Sequence, residues 1–110
     1  MPRFLCRIRP TRLEMLCDAT PDESRIVEEH FAYLEGLADR GVVLLAGRTL
    51  NDDPTSFGVV VFDAETQAEA EEIVAADPAV RAGVFRADLF PFRIALVADR
   101  IVAKRDLKAS

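Results

Sequence analysis

Few side chains in this sequence are suited to chemistry near neutral pH. The 110 residues hold one histidine, His30, one tyrosine, Tyr33, and two cysteines, Cys6 and Cys17. An imidazole, with an ordinary pKa of about 6.5, serves as a general acid or base, and a carboxylate beside it would orient the ring. The plainer alternative is a core histidine bonded to a backbone carbonyl or a water. Two cysteines eleven positions apart with a single histidine do not make a tetrahedral zinc site. Cys6 alternates with Phe4 and Ile8 as a small buried strand residue would, and Cys17 falls in a loop, as an incidental or a reactive thiol. Asp52 and Asp53 lie in the cluster NDDPTS, where turn formation explains them. No glycine-rich phosphate loop leads from a strand into a helix, so no metal, nucleotide or flavin cofactor is implied.

The element that must position His30 is the helix that opens the amphipathic stretch from Thr20 to Thr49. Thr20 suits an N-cap, Pro21 the first helical position, and Glu23 completes a capping box. At 100° per residue, Val27, Phe31, Leu37 and Ala38 fall within roughly 60° of Leu34, and His30 within about 40°. The imidazole therefore belongs to the packing face, where it needs a polar partner. Gly41 offers the left-handed residue that stops the helix.

The remaining elements follow in order. Arg3–Arg9 alternates as a strand with Phe4, Cys6 and Ile8 on one face and arginines on the other. Those arginines either bind an anion or pair with acidic neighbours. Thr11–Ala19 reads as a loop. Val42–Leu50 and Phe57–Phe62 read as a hairpin, with Gly47 as a possible bulge or close approach. Thr66 and Glu69 open a second helix, which Pro78 interrupts. Asp77 then caps a further turn, Pro78 to Ala82, closed by Gly83, and that role alone accounts for it. Val84–Val97 is a last strand in which Pro91 implies an edge, a bulge or a division.

Strand, helix, strand, strand, helix, strand is the ferredoxin-like βαββαβ order, an α+β fold with both helices on one face of a four-stranded antiparallel sheet. We expect one domain over residues 1–98 and a charged tail over 99–110. The opposite face, with Leu5, Leu44 and Val60 or Val61, has no cover within the chain, which predicts a homodimer closed sheet to sheet. His30 and Asp77 stand at matched heights on parallel helices, about 14 Å from their starts, so the two side chains could meet.

Fourteen basic against 19 acidic residues give a net charge of −5, the wrong sign for nucleic acid or anionic lipid. No apolar run spans a bilayer, and the start lacks a secretory pattern, so the expectation is a cytoplasmic protein with no membrane partner.

His30 with Tyr33-Leu34 and Gly41, Ala46-Gly47, Asp77-Pro78-Ala79-Val80 with Gly83-Val84, and Pro91-Phe92 together resemble the YCII-related (YciI-like) family of dimeric α+β barrel proteins. The resemblance implies a protomer that dimerises into a barrel, with a histidine–aspartate pair as active site. Those roles fall on His30 and Asp77. Relatives include an enzyme that removes chloride from a chlorinated hydroxyhydroquinone, and the wider superfamily holds muconolactone isomerases and cofactor-free monooxygenases. The implied activity is cofactor-independent lyase, isomerase or dehydrochlorinase chemistry on an aromatic or lactone-like molecule. Arg48, then Arg7 or Arg9, would hold an anionic group, and Tyr33 would donate a hydrogen bond to the substrate. Two departures bear on the pocket: Arg48 stands where many relatives have proline, and Thr55-Ser56-Phe57-Gly58 replaces a Gly-Ser lead. The competing reading is a homodimeric module that binds a small metabolite and transforms nothing.

Overall fold

The helix expected after Thr20 forms as α1, Pro21–Asp39, in the computed structural model, which describes residues 1–99. Its start is tied down on both sides. Thr20 Oγ1 accepts the Glu23 amide at 3.1 Å, and Glu23 Oε1 accepts the Thr20 amide at 2.9 Å, so the capping box is reciprocal. Arg12 grips the same carboxylate through Nε at 2.9 Å and Nη2 at 2.6 Å. This fork anchors the segment before α1, where a short 3-10 turn, Leu13–Leu16, buries Met15 in what the sequence presented as loop. Gly41, at φ 76°, ends the helix in the left-handed conformation.

Four strands pair in the order β2-β3-β1-β4, all antiparallel: β1 Arg3–Pro10, β2 Val43–Arg48, β3 Gly58–Asp63 and β4 Phe85–Pro91. Between β3 and β4 come α2, Gln67–Ala75, and α3, Pro78–Arg81. The α+β, ferredoxin-like βαββαβ order expected from the sequence is the one found, with α3 as an added turn. Phe4, Cys6 and Ile8 of β1 face the helices beside Val60 and Phe62 of β3, and Leu37 and Ala70 close over them.

One local expectation is corrected and two are narrowed. The last strand stops at Pro91 instead of running to Val97, although the Phe92 amide still donates to the Arg3 carbonyl at 2.9 Å. Proline has no amide to offer the ladder, and β4 is an edge strand where that is tolerated. The sheet irregularity falls between Val43 and Leu45, leaving Leu44 exposed, while Gly47 pairs regularly with Val59. Val60 belongs to the core face, so the uncovered face carries Leu5 and Val61, paired across the ladder, with Leu45 and Phe90. Of the tail expected over residues 99–110, only Asp99 lies within the described residues. No helix among these is long and apolar enough to cross a membrane.

The Arg12 guanidinium, followed by the Thr20 amide, holds the Glu23 carboxyl down at about 2, below the ordinary glutamate value near 4.3. A depressed folded-state pKa stabilises the fold above the unfolded value, and that contribution is lost as pH falls through about 2. Glu23→Gln, which can still cap Thr20, should therefore lower the melting temperature at pH 6. The difference from the unsubstituted protein should shrink steadily between pH 5 and pH 2. A gap that stays constant over that range would remove the Arg12 contact from the account.

Candidate active site

Pro78 determines where Asp77 goes. A proline disfavours helical backbone in the residue before it, and Asp77 is extended at φ −63°, ψ 126°, between the end of α2 and the start of α3. Asp77 is 3 % exposed, and a buried carboxylate needs partners for its oxygens. Oδ1 accepts the Ala79 amide at 2.9 Å, the N-cap bond of α3. Oδ2 lies 2.6 Å from His30 Nδ1. The cap that accounted for Asp77 by itself thus uses one oxygen and leaves the other for the imidazole. The pair meets where α1 packs against α3, not across two long parallel helices as the matched heights suggested.

A carboxylate oxygen only accepts, so the contact calls for a proton on Nδ1, and the nitrogen left for chemistry is Nε2. Phe85 sets its ring edge-on to the imidazole, with centroids 5.0 Å apart. His30 borders a cavity of about 340 Å³. One wall is α1, through Val27, Phe31 and Leu34; the floor is the sheet end formed by Ile8, Ala46, Gly58 and Val60; Leu16 and Phe57 reach in from loops. The lining is mainly apolar, with Arg48 and Ser56 as further polar members. Gly58 pairs with both Ile8 and Arg48, and a Cβ there would meet the Gly47 carbonyl oxygen at 3.3 Å, so a bare backbone suits this point of the floor.

The candidates named from sequence divide. His30 and Asp77 are together, and Arg48 is exposed at the cavity with Nε donating to the Thr49 carbonyl at 3.0 Å. Tyr33 is elsewhere: its hydroxyl donates to the Ile73 carbonyl at 2.7 Å, and its ring borders a separate void of about 20 Å³ with Asp77 and Cys6. Arg7 and Arg9 are also separated from His30, because strand alternation puts them on the face opposite Cys6 and Ile8. Both donate to Asp88, at 2.9 Å and 3.1 Å, which is the pairing alternative for the strand arginines. Burial, then the charge of Asp77, pushes the Cys6 thiol up to about 12, away from any nucleophilic role. Cys17 is exposed, and its hydrogen bond to Asp52, 3.5 Å, raises its pKa as well. Asp53 accepts from Asn51 and from the Thr55 amide, as a turn aspartate does.

Phe31, Ser56, Phe57 and Phe85 were missed as cavity residues. Phe31 lies on the apolar stripe of α1 and was expected in the core, but it is 66 % exposed because the sheet end beneath it is set back by the cavity. Phe85 was within reach of sequence, since it begins the strand just past the turn that Asp77 caps.

The two oxygens of Asp77 can be separated by substitution. Asp77→Ala removes the cap and leaves a buried Nδ1 without its acceptor, and it should cost about 2–4 kcal/mol in urea unfolding. Asp77→Asn keeps a capping oxygen and should cost less than half as much. Equal losses in the two variants would contradict the division of labour.

No curated protein matches the chain by sequence. Among solved structures, 5-chloro-2-hydroxyhydroquinone dehydrochlorinase (TftG) from Burkholderia phenoliruptrix AC1100, in complex with 2,5-dihydroxybenzoquinone, is similar in fold, with a TM-score of 0.60 at 23 % identity. The alignment covers 82 % of this chain and 93 % of that one. The model of the YCII-related domain matches residues 4–93, from the first strand through the last. By that match the chain belongs to the YCII-related domain family.

Proposed function

We propose that this protein is a small-molecule enzyme in which His30, oriented by Asp77, moves a proton on a flat aromatic or lactone-like ring without a cofactor. The observation that carries the reading is the 2.6 Å contact between His30 Nδ1 and Asp77 Oδ2 at the edge of a cavity of about 340 Å³. With Nδ1 engaged, Nε2 is the base. It takes a proton from an acidic C–H or O–H of the substrate, and the imidazolium that forms is paired with the carboxylate. In an elimination the leaving group departs with its bonding electrons as a new double bond forms. In an isomerisation the same proton returns at another carbon. Arg48 at the cavity takes an anionic group of the ring.

The similar solved structure is a dehydrochlorinase holding 2,5-dihydroxybenzoquinone, a planar ring that accords with walls formed by Phe31, Phe57 and Phe85. The same reading places two copies sheet to sheet over Leu5, Leu45, Val61 and Phe90, completing a dimeric barrel that works in the cytoplasm. Exposure of Leu45 at 47 % and Phe90 at 45 % supports such a cover.

Halogenated hydroxyquinones and small lactones are the substrates to screen, with products followed by mass spectrometry. For any substrate found, His30→Asn should lower kcat by about 10²–10⁴-fold, the usual weight of a general base. Undiminished turnover, or saturable binding with no product from the whole panel, would refute the enzyme. Sedimentation equilibrium at micromolar concentration should give twice the 12.2 kDa of one chain, and a stable monomer would refute the barrel.

A further inference from the structure

The one tyrosine of the chain is outside the cavity, yet it is joined to the candidate active site from behind. Tyr33 stands three residues after His30 on α1, so the two side chains leave the helix on the same face. Its hydroxyl donates to the Ile73 carbonyl at 2.7 Å. That carbonyl is four residues before Asp77 and in a continuing helix would accept the Asp77 amide. Asp77 instead donates to Val74 at 3.2 Å, because α2 has ended ahead of Pro78. The Tyr33 hydroxyl therefore takes up an acceptor freed by the break in the helix that presents the carboxylate.

We propose that Tyr33 is a positioning residue for the His30–Asp77 pair: α1 holds the carboxylate with one side chain and the backbone leading to it with another, one turn away. The inference rests on the His30–Asp77 reading and extends it to the backbone. Geometry makes the role specific. If the Ile73–Asp77 segment shifts, Oδ2 moves relative to an imidazole fixed on a separate helix, and a contact of 2.6 Å has little slack. Burial, then the Asp77 charge, raises the Tyr33 pKa, which keeps the hydroxyl a donor through the physiological range. The small void shared by Tyr33, Asp77 and Cys6 leaves room on the inner side for such a shift.

His30 is the only histidine, so its ring protons assign themselves. The test is the rate at which the His30 Nδ1 proton exchanges with water in the unsubstituted protein and in Tyr33→Phe, which keeps the ring and deletes the hydroxyl. The variant should speed that exchange roughly fivefold, the scale of one net hydrogen bond. The Ala79 amide, held by the other oxygen of Asp77, should exchange faster with it, while core amides of β1 and β3 keep their rates. Uniform incorporation of 3-fluorotyrosine, which replaces only Tyr33 and retains the donor, should keep the native His30 rate. Unchanged His30 and Ala79 rates in the Phe variant would overturn the inference, even if melting temperature fell, since that outcome marks a merely structural tyrosine. Absence of a protected Nδ1 proton in the unsubstituted protein would overturn the dyad itself, and with it this extension. Should the Phe variant fail to fold, the hydroxyl proton of the unsubstituted protein decides. Slow exchange from a bonded hydroxyl supports the inference, and free exchange with water overturns it.

Discussion

One buried carboxylate joins the local folding of this chain to its candidate active site. Asp77 terminates one helix, caps the next and presents its second oxygen to the imidazole on α1. These roles are compatible because a carboxylate has two acceptor oxygens and the proline after it fixes the backbone in an extended conformation. The N-cap bond is more than a stabilising contact. It prevents the carboxylate from rotating, and the imidazole opposite it is fixed in orientation. A buried hydrogen bond contributes little net stability, because desolvation offsets much of the attraction, but it is strongly directional. The value of this pair to the molecule lies in the direction it imposes on Nε2.

The cavity has a different origin. Along β2 only Val43 is fully buried, and the residues from Leu44 to Arg48 are exposed, because α1 covers that strand at one end alone. Where the helix and the sheet diverge, the floor includes the small residues Ala46, Gly47 and Gly58, and three aromatic rings, Phe31, Phe57 and Phe85, stand among the lining. Such a space favours a flat apolar body with a polar edge. The loop carrying Leu16 and the hairpin loop carrying Phe57 border it, one anchored through the Arg12–Glu23 fork and the other through turn bonds around Asp53. Strand alternation turns Arg7 and Arg9 of β1 onto the uncovered face of the sheet, which is why they do not contribute to this cavity.

Much of this was legible in the sequence, for identifiable reasons. Capping signals at Thr20 and Asp77, a helix stop at Gly41 and period-two alternation in β1 are local features, and each names its own structure. The order of elements then fixed the topology through the handedness of crossovers. His30 was legible because an imidazole on an apolar stripe must find a polar partner. What escaped depended on distances between elements. Periodicity gave Phe31 a buried position but contained nothing about the sheet ending short beneath it. Tyr33 was expected to face a ligand because residue type advertises a donor, whereas the acceptor that takes it exists only where α2 breaks. Arg7 and Arg9 were offered to the site from a strand whose alternation already turned them away, and there the residue pattern outweighed the residue type.

The central claim is that Asp77 leaves His30, at the edge of the cavity, with a protonated Nδ1 and an unprotonated Nε2. Long-range ¹H–¹⁵N spectra of the uniformly labelled protein, at a pH where the ring is neutral, read this directly from the two imidazole nitrogens. The account requires one protonated, pyrrole-like nitrogen at Nδ1 and one unprotonated, pyridine-like nitrogen at Nε2. A majority of the opposite tautomer, with the proton on Nε2, would contradict it.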